Sequence, residues 1–426
     1  MKKFFSSFFF FKLIILLFCF FSCSPTKKIT DPNVSYLYKK EINPLHPNYT
    51  VYHISDTVSE LHFKINSNEI KYKKSANENN FVAKIMVIYK LLNDYESNWL
   101  IDSATIVISD TSHQIENKNL YGKTEFKAAW GRNYIMEILM TDLHQQVQHK
   151  SFLTIEKNTI NNRQNYLVTP ANSAVPLFRN YIYKEEKIKI ICPTKTKTEK
   201  LFVRYYHRKF PIAAPPFLLL DKKPFNYAAD STFEVLTKNN IVEIYLNKNG
   251  FYHFQTDTSL NKDGLSLFYF DTHFPEIETA EDLVPPLRYI STKQEFEEMN
   301  NAENKKEAVD KFWLNNAGNT DVGREMIRKF YNRVQETNYF FTSYLEGWKT
   351  DRGLIYLIFG PPTSVFKYSN SENWVYGEEN SLLAINFNFI KVINPFSDND
   401  FSLDRSPNLK NSWYRTVDAW RTGRIY

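Results

Sequence analysis

The chain has 426 residues, 43% hydrophobic and 16% aromatic, with a formal net charge of +6. That is enough apolar chain to bury two or three domain cores. The modest charge, with no dense Lys/Arg block, excludes the nucleic-acid-binding classes.

The N-terminus opens with basic Met1-Lys2-Lys3, and Lys12 interrupts the apolar run that follows. The charged segment extends to Lys12, and Leu13 to Phe21 forms an apolar stretch of signal-peptide length, too short to span a bilayer. Residues 1–22 are therefore expected to be a secretory signal. Phe20-Phe21-Ser22-Cys23 resembles a lipoprotein cleavage box, which makes Cys23 the expected lipidation site and the start of the mature chain. The alternative is an uncleaved anchor in which Lys12 snorkels. Resemblance to other lipoproteins implies that Ser24 does not retain the protein in the inner membrane and that, with no acidic run after it, the protein is an outer-membrane lipoprotein facing the periplasm. Of three cysteines, Cys19 leaves with the signal and Cys23 is acylated. Cys192 then remains alone, without an intramolecular disulfide, and is expected as a buried, inert thiol.

Residues 23–50 are polar and punctuated by Pro25, Pro32, Pro44 and Pro47, the composition of a tether. From 51 to 158 strand patterns follow one another, as in Leu61-His62-Phe63-Lys64-Ile65 and Val82 to Tyr89, separated by Asn/Asp/Ser/Gly breaks. This predicts an antiparallel β-sandwich-like domain, with Trp99 and Trp130 in or near its core. A second such domain is expected over 159–284. Within it, Ile241 to Leu246 and Gly250 to Phe254 read as a hairpin across Asn247-Lys248-Asn249.

Past the acidic, proline-bounded stretch from Pro275 to Pro286 the pattern becomes helical. Thr292 and Glu295 form a capping box for a helix running to about Asn315. Thr320 opens a second helix, with Ile327, Phe330, Tyr331, Val334, Phe341 and Tyr344 at near-helical spacing. This helix feeds Gly347-Trp348-Lys349-Thr350-Asp351-Arg352-Gly353, a tight turn in which Gly347 is expected to end the helix in the left-handed conformation. Leu354 to Phe359 has no polar face and reads as a strand buried on both sides, stopped by Gly360-Pro361-Pro362. Asn373 to Gly377 and Leu382 to Val392 read as further strands beside it. Trp413, Val417 and Trp420 give a short amphipathic helix near the C-terminus. The whole is mainly β with a C-terminal α+β domain: two antiparallel β-sandwich-like modules, then a helix-helix-strand domain over 285–426.

Gly347-Trp348-Lys349-Thr350-Asp351 resembles the signature of the GWxTD domain, found in lipoproteins of Bacteroidetes-type bacteria. Lys311-Phe312-Trp313-Leu314, Phe330-Tyr331-Asn332-Arg333-Val334, Gly360-Pro361-Pro362, Asn394 to Asp400 and Ser412-Trp413-Tyr414-Arg415 extend the resemblance over roughly the last third of the chain. It implies a lipid-anchored protein, β-rich in front, with this domain behind, and no established activity or catalytic residues.

Chemistry-bearing residues are few. Asp351 and Arg352 are a carboxylate and a guanidinium side by side, suited to ligand binding; equally, Asp351 can accept backbone N–H bonds in the turn while Arg352 pairs locally. Trp348 suits stacking on a sugar ring or packing in a core. Gly347, Trp348, Thr350, Asp351 and Arg352 are therefore the candidate binding or structural motif. No histidine follows His273 and no cysteine follows Cys192. The C-terminal region thus cannot by itself build a Ser-His-Asp triad, a Cys-His pair or a typical zinc site, and no cofactor is expected. Asn394 to Asp400 is oxygen-rich, but lacks EF-hand spacing and reads as an Asx-turn loop. The expected role is that of a non-enzymatic envelope lipoprotein contacting protein or glycan. The alternative is a carboxylate-dependent hydrolase of peptidoglycan or polysaccharide.

Overall fold

The computed structural model describes residues 33–40, 43–75, 80–193, 198–221, 225–259, 262–379 and 381–424. The expected signal segment and Cys23 lie outside the described residues. Among the described residues no helix is long and apolar enough to cross a membrane. The fold is mainly β with a C-terminal α+β domain.

The first β region contains β1 (Asn48–His53), β2 (Val58–Asn66), β3 (Lys73–Lys74), β4 (Phe81–Leu92), β5 (Leu100–Ser112), β6 (Asn119–Lys127), β7 (Asn133–Asp142) and β8 (Val147–Glu156). One sheet has the order β1-β2-β6; the other runs β3-β4-β7-β8, with β5 also paired to β4. Alternation decides which face is buried: Ala83, Ile85, Val87, Tyr89 and Leu91 of β4 point inward with Leu61, Phe63 and Ile65 of β2 and Met136, Ile138 and Met140 of β7. Trp99 and Trp130, expected in this core, are instead exposed, at 74% and 41%. Both sit in strand connections, outside the alternating pattern that turns side chains inward.

The second β region contains β9 (Leu167–Pro170), β10 (Lys187–Ile191), β11 (Lys200–Tyr206), β12 (Ser231–Leu236), β13 (Ile241–Tyr245), β14 (Gly250–Gln255) and β15 (Leu265–Tyr269). Its sheets are β13-β10-β9 and β12-β11-β14-β15, and residues from both close one core around Ile188, Ile190, Val203 and Phe254. The expected hairpin does not form. β13 pairs with β10 while β14 pairs with β11 and β15, so residues 246–249 cross from one sheet to the other. Alternation set both strands correctly but could not choose between partners with similar patterns. Cys192 is fully buried, and that burial pushes its thiol up to about 12, so it is inert at neutral pH.

The C-terminal region contains α1 (Ala280–Leu283), α2 (Lys293–Asn301), α3 (Lys305–Ala317), α4 (Thr320–Phe341), α5 (Asp351–Phe359) and α6 (Lys410–Arg421), with β16 (Ser364–Lys367), β17 (Ser371–Tyr376), β18 (Ile385–Lys391) and β19 (Phe401–Leu403) forming a sheet in chain order. The capping box of Thr292 and Glu295 is present at the start of α2. The helix expected to reach Asn315 breaks at Ala302, which is extended, and Asn304 caps α3 anew. Asn319, one residue before the expected Thr320, caps α4.

The segment Leu354 to Phe359 is a helix, not a strand, which corrects the reading of the stretch after the turn. Thr350 is its N-cap, accepting from the Gly353 N–H at 3.1 Å, and Gly360, at φ 83°, is its C-cap. An apolar run has no periodicity to separate a buried strand from a helix buried on all sides. The two caps decided the matter, and both are visible in the sequence as Thr and Gly.

Residues 33–426 form one compact unit. The segment read as a tether is part of it from Asn33 on. Ser35–Tyr38 is a short 3-10 helix, and Val34 and Tyr38 pack with Phe341, Ile355, Trp374 and Phe387 of the C-terminal region. Phe396, from the loop after β18, sits against Phe251, Tyr206 and His253 of the second β region, with ring centroids 4.9, 5.2 and 5.0 Å away.

Candidate functional site

The turn of interest begins where α4 ends at Phe341. Gly347 is not a left-handed helix stop: it opens a 3-10 turn, Gly347–Lys349, six residues further on. The end of α4 is capped instead from a distance, because the Asn399 Nδ2 donates to the Phe340 and Thr342 carbonyls at 2.9 and 3.0 Å. Glycine is needed at Gly347 because an added Cβ would lie 1.7 Å from the Thr337 carbonyl oxygen of α4. Gly353 faces the same limit, since its Cβ would meet the Gly347 carbonyl oxygen at 1.8 Å. The turn is thus folded backbone-on-backbone between α4 and α5.

The polar residues of the turn are engaged by the fold. Thr350 Oγ1 donates to the Gly347 carbonyl at 2.8 Å and accepts from Gly353. Trp348 is 5% exposed and packs in the helical core, its ring edge-on to Tyr289. Asp351 does not serve the turn's own backbone. Its Oδ2 accepts from the Leu403 N–H at 2.8 Å and from Arg405 Nη1 at 3.1 Å, and Arg405 Nη2 reaches Oδ1. Arg352 is 3% exposed and does not pair locally: Nη1 donates to Glu372 Oε2 at 3.0 Å, and Nη2 donates to the Asn399 carbonyl at 2.9 Å. Its guanidinium also lies over the Phe401 ring at 3.9 Å.

Glu372 is one of the C-terminal carboxylates that the sequence offers without any spacing to single it out. It is 1% exposed, and its Oε1 accepts from Tyr38 Oη at 2.5 Å and Trp374 Nε1 at 2.8 Å. Burial opposes its ionisation, but Lys367, Arg352 and these hydrogen bonds outweigh that and hold its carboxyl below the usual range. Only its place two residues before Trp374 on an alternating strand hinted at burial.

Arg352 and Glu372 lie at the wall of a cleft of about 1500 Å³, bounded by β1, β8, residues 162–168, residues 175–183 and the loop 391–399. Of the motif, only Arg352 lines it; Gly347, Trp348, Thr350 and Asp351 do not. Asp398 also faces the cleft. Burial works against its charge, yet Arg163, 3.2 Å away, and Lys391 keep its carboxyl below the usual range. Asp400, pushed up to about 6 by burial, accepts from Asn394 Nδ2 at 2.6 Å and lies outside the cleft lining. The Asn394 to Asp400 loop is an Asx turn, in which Asn394 Oδ1 accepts from the Phe396 and Ser397 N–H groups at 2.9 and 3.0 Å. Among the described residues no group of His, Cys, Asp and Glu is arranged to hold a metal.

Chemically, two of the five acidic residues that line the cleft, Glu372 and Asp398, are held ionised, each beside a cation. A glycosidase of the two-carboxylate type needs one carboxyl held protonated near neutral pH. Neither Glu372 nor Asp398 is so held.

Residues 250–422 match the family model of the GWxTD domain. The chain carries a GWxTD domain. The match begins at β14, upstream of the last third that carried the sequence resemblance, and so includes Phe251 and His253, against which Phe396 of the GWxTD loop packs. Trp313, Phe330 and Trp420 form one aromatic group in its core. Arg333 donates to the Leu357 and Ile358 carbonyls at the end of α5, at 3.3 and 3.4 Å. No curated protein matches the chain. Among solved structures it is similar to a Bacteroides uniformis beta-glucuronidase 2, at 9% identity over 26% of this chain and 13% of that one, with a TM-score of 0.18. It is also similar to a red sea bream transglutaminase, at 12% identity over 55% and 33% of the two chains, again with a TM-score of 0.18. The chain thus spans a third or less of either protein, and likenesses at these scores carry no argument.

Proposed function

We infer that this protein is a lipid-anchored component of the cell envelope of a Bacteroidetes-type bacterium, with a binding or scaffolding role towards protein or glycan. The observation that carries the reading is the consumption of the GWxTD turn by architecture. Trp348 is buried, Asp351 is held by Arg405 and the Leu403 N–H, and Arg352 is held by Glu372 and Asn399. Cys23 is the anchor, at the outer membrane and facing the periplasm. Cys23→Ser is expected to release soluble protein or leave it uncleaved in the inner membrane, and unchanged outer-membrane fractionation would refute lipidation.

One observation favours a hydrolase instead: Glu372 and Asp398 both line the cleft. Incubating the purified full-length protein with peptidoglycan or envelope polysaccharide separates the readings. The binding role expects no products. Turnover that disappears in Asp398→Asn would establish the hydrolase.

A further inference from the structure

Strand β8 is an edge strand that lines the cleft. β7 takes one of its sides in unbroken register, from Asn133 opposite Glu156 to Asp142 opposite Val147. At its C-terminal end the other side is met by a side chain that imitates a peptide. The Gln164 amide accepts from the Glu156 N–H at 2.8 Å and donates to the Thr154 carbonyl at 2.7 Å. In a regular strand alternate residues turn their N–H and C=O groups to the same side. Lys150 and Phe152 therefore face outward with Thr154 and Glu156. Among the described residues, the Thr154 N–H and the backbone groups of Phe152 and Lys150 meet no partner on that side. Phe152 and Thr154 of this edge line the cleft, and an unpaired edge there is a template for another strand.

Charge selects the kind of strand. Seven Lys and Arg residues line the cleft against five Asp and Glu. Three of those cations, Lys40, Lys64 and Lys391, form no direct ion pair with a carboxylate among the described residues, although Lys391 also acts on Asp398 from farther off; Lys40 and Lys64 lie over the rings of Tyr339 and Phe178. A guest must bring negative charge to balance them.

Resting on the binding role inferred above, we propose that the cleft takes an extended acidic peptide, which adds to the outer edge of β8 through main-chain hydrogen bonds and sets its carboxylates among Lys40, Lys64 and Lys391. The partner is a protein with an acidic extended segment, not a glycan.

The probe is a fluorescent alternating Val-Glu peptide of about ten residues, the reach of a long strand, titrated by anisotropy into full-length protein in detergent. It is expected to bind where the Val-Lys peptide does not, and N-methylation at one set of alternate residues is expected to abolish binding. Thr154→Pro deletes an outward N–H, at the position where an edge strand tolerates proline, and should weaken binding about tenfold or more. Lys391→Glu, which leaves β8 intact, should do the same. Binding that ignores N-methylation, or is displaced equally by a polyanionic polysaccharide, would overturn the peptide assignment. Affinity unchanged in both variants would overturn the cleft assignment and leave the binding role standing. Failure to bind any peptide, together with glycan turnover, would remove the binding role itself.

Discussion

Glycine at 347 and 353 is dictated by close approach, since a methyl group at either position would run into a backbone carbonyl that cannot swing aside. Gly347→Ala or Gly353→Ala should each cost about 3 kcal/mol or more, read as a fall in the urea midpoint at unchanged slope. A loss within ordinary surface-substitution range would refute the backbone-on-backbone turn. The pair of Arg352 and Glu372 behaves differently, because both groups are desolvated and every oxygen of Glu372 is occupied. Arg352→Met alone leaves a buried carboxylate without its guanidinium and should cost about 3–5 kcal/mol. Arg352→Met with Glu372→Leu should recover much of that loss, so a double-mutant cycle with strong coupling is expected. Additive losses would show that each residue acts through packing alone. Glu372 also explains why the site was only partly legible: Arg352 was visible as part of a motif, but the partner that defines its role lies twenty residues on, in another element.

Among elements, the helices α2 and α6 are locked by one ion pair. Arg421 donates to both oxygens of Glu295, each at 2.8 Å, while Glu295 completes the cap of α2. The Arg421 hydrogen bond, with help from Thr292, holds the Glu295 carboxyl down at about 2, well below its ordinary 4.5. A depressed folded value contributes stability above the unfolded pKa that is lost as pH falls through the folded one. Stability should therefore drop between about pH 4.5 and 2, and Glu295→Gln should flatten that slope while costing about 1 kcal/mol at neutral pH through the weakened cap. Identical acid profiles for the two proteins would dismiss the lock. The capping box was readable in the sequence because its partners are three residues apart; the reach to Arg421 was not. The same contrast governs α5. Its caps are local, but its burial on all sides erased the periodicity that would have marked it as a helix.

At the scale of the molecule, residues 33–40, read in the sequence as part of a tether, are built into the fold. Val34 and Tyr38 fill the C-terminal core, and the Tyr38 hydroxyl closes the hydrogen-bond set of Glu372. A chain starting at residue 41 should be less stable by about 3–5 kcal/mol, from the lost burial of two large side chains and one opened buried acceptor. A melting temperature unchanged by this truncation would show that the segment is a tether after all. Phe396 supplies the opposite link, carrying the loop of Asp398 and Asn399 onto the second β region, so that the cleft is walled by all three regions.

Local grammar was enough to specify the β-rich order of the chain, the change to helices near residue 285, the α2 cap and the buried thiol of Cys192. Those features depend on residue type and on spacings of two to four positions, which a sequence displays directly. Strand partnership, the destinations of Asp351 and Arg352 and the cleft itself were decided only by tertiary structure. Each depends on groups brought together across tens to hundreds of residues, where packing and charge satisfaction, not propensity, choose among locally equivalent arrangements.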